Sequence, residues 1–426
     1  MLENFLLRPL LNCFTTDSHR SYQLSFLLLI VFVVSLSLIL INLGSPPINV
    51  MAGDVIIQLD GAWRGINGQI PNVDFTAIIP PFTILPTAFG MKVAFPSASS
   101  IAYGNVLLFI VLTPWAWFIA RSRLSAANAF VFAVFMGILL VAPRALGDKV
   151  LATSYAMLYN RQGWVLLSML CVELFIFHRK TIQTREIRSG LSSGILLALL
   201  VFSKLSFFCI GVTAVLIRCF LFRPPIKWFI VLASSFLLVV ISMQAFLPLN
   251  LFSYISEMRY IASVYGPSKL NRLLPNLINN YESILISIVP LLILINELNK
   301  TKERNGKLSL TWLWLTVTFV IVSGILLCSA AAQPTDIPTF LIAGLICLEY
   351  FRQKFQVSDR SINSTLGVAY LYSILIIIPL LCGTILVKDI GSITYSAMWH
   401  QSKLSSVPES QKFQSKTLSD LVIPAY

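Results

Sequence analysis

The sequence predicts an all-α protein that crosses a membrane about eleven times. Of its 426 residues, 57% are hydrophobic and only 12% are charged, and the mean hydropathy is +0.81. A soluble protein carries roughly a quarter charged residues. Several apolar runs reach the length of about 20 residues that a helix needs to cross a bilayer. The composition therefore indicates an integral membrane protein.

Apolar runs place the predicted spans along the chain. They lie at residues 24–43, 104–120, 125–143, 163–178, 190–204, 206–222, 228–248, 282–298, 309–328, 338–351 and 365–387. The apolar stretch around Lys204 is too long for one helix, so we expect two helices that meet at residues 203–206. The spans make up a transmembrane domain of residues 1–387, which leaves residues 388–426 as an extracytoplasmic tail.

The net charge of +13 marks topology and does not predict a nucleic-acid partner. With the N-terminus inside, the short inner segments hold 18 of the 31 Lys and Arg residues, and much longer outer segments share the rest. The positive-inside rule therefore favours an N-in, C-out orientation. Within the fourth span, we expect Glu173 to pair with a nearby Arg or Lys, with a role in proton relay as the alternative.

Residues 54–81, which follow the first predicted span, are polar, acidic and punctuated by glycine in an otherwise apolar chain. We expect Asp54 to cap a short amphipathic helix that runs to about Ile66. One face of this helix is apolar and would lie in the membrane surface. It consists of Ile56, Leu59, Trp63 and Ile66. Carboxylates at the mouth of a membrane bundle favour an enzyme over a channel.

The first outer segment spans residues 44–103, and the part that follows the short helix is predicted to turn and then run extended. Gly65 and Gly68 let the chain turn after the short helix. Four prolines then predict an extended path back to the second span. These are Pro71, Pro80, Pro81 and Pro86.

Three carboxylates of this segment are candidates for chemistry. Asp54 has two interpretations, as a general base whose ionised form is favoured by the helix dipole or as a simple cap. Asp60 is expected to form an ordinary surface pair with Arg64, four residues on. Asp74 precedes an apolar run, where a carboxylate near the membrane needs a role such as substrate binding.

The same segment resembles the first extracytoplasmic loop of GT-C glycosyltransferases, which are polytopic enzymes that use polyprenyl-phosphate-linked sugars. Protein O-mannosyltransferases have there an acidic pair, an Ala, a Gly and an Asp-x-His-Pro-Pro stretch, and the aminoarabinose transferases are similar. The matching residues are Asp54, Ala62, Gly68, Asp74 and Pro80-Pro81. Val55 stands where the family has its second acidic residue, and Ile79 stands where it has His.

The resemblance implies a GT-C-like fold and a membrane glycosyltransferase with Asp54 as its catalytic base. Such an enzyme would move a sugar from a polyprenyl-phosphate-linked donor to an extracytoplasmic glycan, lipid or protein acceptor. The implied reaction is direct displacement at the anomeric carbon, in which the lipid phosphate leaves. The implied location is a bacterial cytoplasmic membrane, with the active site on the outer face.

A leaving phosphate needs cationic partners, and the outer segments offer four candidates. Lys204 interrupts an apolar run, where an ionisable side chain indicates a functional site or, alternatively, a lysine that reaches the lipid headgroups. Arg161 lies at a helix entry beside the aromatic residues Tyr159 and Trp164. The remaining two are Arg64 in the first outer segment and Arg259 in a surface helix that could cover the site as a lid.

Other functions stay open at this stage. The alternatives are a transporter or flippase of lipid-linked intermediates, an O-antigen-type polymerase or ligase, and a non-catalytic assembly subunit. Only three histidines are present and the cysteines lie mostly in apolar runs, which argues against a zinc site. A divalent cation, Mg²⁺ or Mn²⁺, held by Asp54 and substrate phosphate remains an option. No glycine-rich nucleotide cradle appears, which favours a lipid-linked donor.

Overall fold

The protein is all-α in the computed structural model, which describes residues 19–94, 97–176, 183–246, 250–265, 274–275, 278, 281, 307–329, 336–357 and 378–406. Thirteen helices of the described residues are used below. They are α1 (His19–Leu43), α2 (Ala52–Ile66), α3 (Pro81–Val93), α4 (Ser99–Arg121), α5 (Ala126–Val141), α6 (Leu158–Phe175), α7 (Gln183–Ser203), α8 (Leu205–Phe222), α9 (Ile226–Phe246), α10 (Leu251–Tyr265), α11 (Lys307–Ser329), α12 (Thr339–Val357) and α13 (Ile378–Ser406).

Five helices of the described chain are long and apolar enough to cross a membrane, namely α1, α4, α8 and the apolar parts of α7 and α9. The expected number of about eleven spans is therefore not reached. At 1.5 Å per residue, α5 is about 24 Å long, shorter than the ~30 Å hydrocarbon core. The apolar parts of α11 and α12 are also short, and α6 carries buried Arg161 and Glu173. The span expected at residues 282–298 lies outside the described residues.

The break around Lys204 is confirmed. Helix α7 ends at Ser203 and α8 begins at Leu205, so one residue with extended backbone (φ −169°) joins the two helices. The backbone N–H of Lys204 still bonds the Leu200 carbonyl at 3.0 Å, and its carbonyl accepts the N–H of Phe207 at 3.0 Å. The backbone N–H and carbonyl groups of Lys204 are therefore both hydrogen-bonded at this link.

Buried ion pairs occur at two places among the described residues. One group joins Arg123 to Glu173, whose side-chain atoms lie 2.5 Å apart, and confirms that Glu173 pairs with a nearby cation. These residues come from segments predicted to be near the inner side. The other group joins Arg144, Asp336 and Asp389, which come from segments predicted to be outer.

Helix α2 forms as expected but starts two residues before Asp54, which corrects the predicted cap. Met51 takes the N-cap position with a left-handed backbone (φ 51°) and no side-chain hydrogen bond. Ile56 and Trp63 are about half exposed, but Leu59 and Ile66 pack onto buried residues of the protein. The predicted apolar face is thus split between the surface and the core.

The extended path predicted for residues after Pro71 is wrong, because Pro81 begins helix α3. Pro80 is its N-cap and Pro81 lies in the first turn. A backbone N–H in this turn has no partner within the helix, so proline loses no hydrogen bond there. Pro86 lies inside the helix. A Cβ on Gly104 of α4 would lie 2.3 Å from the Pro86 carbonyl oxygen, so only glycine permits this helix crossing.

Helix α13 runs past residue 387, where we expected the last span to end and the tail to begin. It continues to Ser406 and contacts α5, α12 and α1. The ring of His400 lies 2.6 Å from the Ser45 carbonyl oxygen, so this helix reaches the first outer segment. Residues 407–426 of the predicted tail lie outside the described residues.

The close crossing of α3 and α4 gives a testable prediction. Gly104→Ala should lower the free energy of unfolding by about 1–3 kcal/mol, because the new methyl group overlaps a backbone carbonyl. The measurement is unfolding of the detergent-purified protein. Gly65→Ala is the control, since no atom lies within 4 Å of its added Cβ. Equal stability of the two variants would contradict the tight crossing.

Candidate functional site

Lys204 lies beside the first turn of α6. Its ammonium group donates a hydrogen bond to Oδ1 of Asn160 at 2.8 Å. The ammonium also lies 5.3 Å from the ring centre of Tyr159 and 5.9 Å from that of Phe207, within cation–π range. A neutral amide and two aromatic faces thus surround the cation on this side.

Asp54 is half-buried in the first turn of α2. No hydrogen bond or ion pair to its carboxylate occurs among the described residues. Burial raises the pKa of the Asp54 carboxyl above its ordinary value, although the helix N-terminus favours the charged form. A carboxylate in this condition is a better proton acceptor than an ordinary surface aspartate.

Tyr159 is the second residue of α6 and lies beside Lys204. Its ring contacts the Lys204 ammonium, and it packs at the edge of a cluster that includes Ala62 of α2. Burial raises the pKa of Tyr159 to about 12, and the nearby charge of Asp54 contributes to the increase. The structure therefore brings Lys204 and the first turn of α2, which holds Asp54, to the first turn of α6.

Buried polar contacts hold α2, α3 and α6 together around this place. The Gln58 side-chain amide donates to the Thr87 hydroxyl at 2.8 Å, and the Thr83 hydroxyl donates to the side-chain amide oxygen of Gln162 at 2.5 Å. Val55, next to Asp54, packs in a buried cluster with residues that precede α6. These contacts fix the first turn of α2 against the start of α6.

Arg161, predicted to bind phosphate, is fully buried and bound by protein groups. Its guanidinium makes two hydrogen bonds to the Asp389 carboxylate, at 2.9 and 3.0 Å. It also donates to the carbonyl oxygens of Arg144 at 2.6 Å and Leu139 at 2.8 Å. Four of its five N–H groups are thus bonded to the protein. Arg161 therefore holds the backbone in place rather than facing a substrate.

Arg144 extends this ion-pair network to α12 and α13. It donates to Asp389 at 2.7 Å and to Asp336 at 2.9 Å, and both carboxylates are fully buried. Burial opposes ionisation of Asp336, but Arg144 and Lys388 hold its pKa below the ordinary value. Burial raises the pKa of Asp148, at the edge of the network, despite the opposing charge of Arg144.

The other candidates of the first outer segment have local partners. Arg64 pairs with Asp60 at 2.8 Å on the exposed side of α2, which confirms the expected surface pair. Arg64 also lies over the ring of Phe75, 5.4 Å from its centre. Asp74 is exposed and accepts a hydrogen bond from the backbone N–H of Ile70 at 2.7 Å, so it closes a turn.

Helix α10 contacts the first outer segment through Glu257 rather than through Arg259, whose side chain is exposed. The Glu257 carboxylate accepts a hydrogen bond from the Asn72 amide, and another from the Ala77 backbone N–H at 3.4 Å. Asn72 has a left-handed backbone (φ 65°), which asparagine tolerates better than most residues. The helix proposed as a lid is therefore attached at this point.

Two partners were not predicted from the sequence, namely Asn160 for Lys204 and Asp389 for Arg161. Both had a signal. Asn160 and Arg161 are adjacent polar residues at the entry of a predicted span, and Asp389 follows an apolar run. A carboxylate in such a place requires a cation, but the sequence does not show which one.

The described residues bring no three of His, Cys, Asp or Glu together as metal ligands. A divalent cation at Asp54 would therefore depend on substrate phosphate for its other ligands. No protein-family model, curated protein or solved structure matches the chain.

The buried network predicts a large effect of removing one cation. Arg144→Ala should lower the free energy of unfolding by about 3–5 kcal/mol, because it removes the buried guanidinium that bonds both Asp336 and Asp389. Arg64→Ala is the matched control, since its pair with Asp60 is exposed and worth at most about 1 kcal/mol. Unfolding in detergent measures both, and similar losses would contradict a stabilising role of the network.

Proposed function

We propose that the protein is a membrane glycosyltransferase that moves a sugar from a polyprenyl-phosphate donor to an acceptor hydroxyl. The single observation that carries the proposal is that the first turn of α6 lies against both the first turn of α2, which holds Asp54, and the Lys204 ammonium. Asp54 is half-buried and without a protein partner among the described residues, whereas the carboxylates of Asp60 and Asp74 are bound locally. The proposed face is extracytoplasmic, with the N-terminus inside.

The chemistry assigns one role to each charged group. Asp54 accepts the proton of the acceptor hydroxyl as its oxygen bonds to the anomeric carbon. The bond from that carbon to the phosphate oxygen breaks, and its electron pair leaves with the lipid phosphate. Lys204 provides positive charge where this phosphate charge develops. The step is a single displacement and inverts the anomeric configuration.

Replacement of Asp54 tests the proposal. Asp54→Asn should reduce sugar transfer at least about a hundredfold, because an amide cannot accept the proton. The assay supplies membranes that contain the protein with a panel of radiolabelled polyprenyl-phosphate sugars. Asp60→Asn is the control, since this carboxylate is exposed and lies on the same helix.

Two outcomes would contradict the proposal. Equal transfer by wild type and Asp54→Asn would remove Asp54 from the chemistry. No transfer by wild type with any donor, together with movement of the lipid across a reconstituted vesicle, would favour the transporter or flippase.

The pH dependence of kcat/KM offers an independent test. Asp54 works as a base only when ionised, so activity should fall as the pH drops through its pKa. Because burial raises that pKa, the acid limb should lie above the range of an ordinary aspartate. The limb should be absent from the residual activity of Asp54→Asn. A limb at the ordinary value, near 3.8, would contradict the role of burial.

A further inference from the structure

We propose that Asp389 is a positioning residue for Lys204, which it controls through Arg161 and the first turn of α6. The inference rests on the proposed function for the role of Lys204, but the geometry that supports it is independent of the reaction. It extends the site to α13, since Asp389 lies 228 residues after Arg161 in the sequence.

The first step is that α6 fixes the Lys204 ammonium. Lys204 occupies the single-residue link between α7 and α8, where its backbone is extended. Its side chain is directed to the Asn160 amide oxygen at 2.8 Å and to the Tyr159 ring. Both partners belong to the first turn of α6, so a displacement of this turn would also displace the Lys204 ammonium.

The second step is that Arg161 fixes this turn. Arg161 directly follows Asn160, and its guanidinium is fully buried. The residue before α6, Met157, has a left-handed backbone (φ 56°), a conformation that costs free energy for a non-glycine residue. Buried bonds from Arg161 to the Arg144 and Leu139 carbonyl oxygens hold the turn in this place.

The third step is that Asp389 neutralises Arg161. The bidentate geometry satisfies two guanidinium nitrogens with one carboxylate, which is the strongest arrangement for this pair. Without the carboxylate, a buried guanidinium carries an uncompensated charge and must move toward water. Because Arg161 and Asn160 are consecutive, that movement displaces the acceptor of Lys204.

A neighbouring carboxylate provides the matched control. Asp336 is as buried as Asp389 and belongs to the same network. It contacts Arg144, Lys388 and the Gly147 backbone N–H. Asp336→Asn therefore removes a buried charge of the same kind from the network without removing the Arg161 partner.

The test measures how fast a small amine-reactive reagent labels Lys204 in the folded, detergent-purified protein, with quantification by peptide mass spectrometry. Asp389→Asn should raise the labelling rate about tenfold, as expected for the loss of one hydrogen bond to a charged group. Asn160→Ala removes this acceptor directly and gives the labelling rate of Lys204 without the Asn160 hydrogen bond. Asp336→Asn should label like wild type.

Arg161→Lys serves as a second variant if Asp389→Asn does not fold. It keeps the charge, but one ammonium cannot reproduce the bidentate pair and the two carbonyl bonds, so Lys204 labelling should again rise. Unchanged labelling in the folded variants, or an equal rise in Asp336→Asn, would overturn the inference.

Kinetics with the donor connect the inference to the reaction. Asp389→Asn should raise the KM for the polyprenyl-phosphate sugar more than Asp336→Asn does, at comparable stability. Absence of transfer by the wild type would instead count against the proposed function, and the labelling rates would still decide whether Asp389 positions Lys204.

Discussion

The buried ion-pair network of Arg144, Arg161, Asp336 and Asp389 is the constraint on which this end of the bundle depends. It joins the loop after α5, the first turn of α6, the segment before α12 and the middle of α13. Each of these charges loses its hydration on burial, a cost of several kcal/mol per ion. Only an arrangement that pairs every charge at hydrogen-bond distance offsets this cost, so the network defines one relative position of four segments.

The first outer segment is placed by a different kind of contact. Gly104 and Gly90 allow α3 and α4 to cross with their backbones almost touching, and Pro86 sits at that crossing. Hydrogen bonds from Gln58 and Thr83 then bind α2 and α3 to their neighbours. Because these contacts are short and buried, α2 has little freedom to rotate. The half-buried environment of Asp54 follows from this fixed orientation.

Periodicity and composition predicted the helical class, the membrane character and the turn at Lys204, because these depend on local apolar runs. They did not predict α3, since prolines that favour extended chain are also well suited to a first helical turn. They also overestimated the number of spans. An apolar run shows that a segment is buried, but not whether lipid or protein buries it, and α6 is buried along nearly its whole length by protein.

Side-chain pairing is what the sequence could not supply. Arg161 and Lys204 looked alike as cations near the outer ends of helices, yet the structure binds Arg161 to a carboxylate and Lys204 to an amide and aromatic rings. Four of the five N–H groups of Arg161 donate to buried protein acceptors, whereas the Lys204 ammonium lies against an amide oxygen and two aromatic rings. The same contrast separates Asp389 from Asp54. Asp389 accepts hydrogen bonds from two buried arginines, while Asp54 has no bonded partner among the described residues and burial raises the pKa of its carboxyl. The division between structural and chemical roles at this site therefore follows from which charges are already paired.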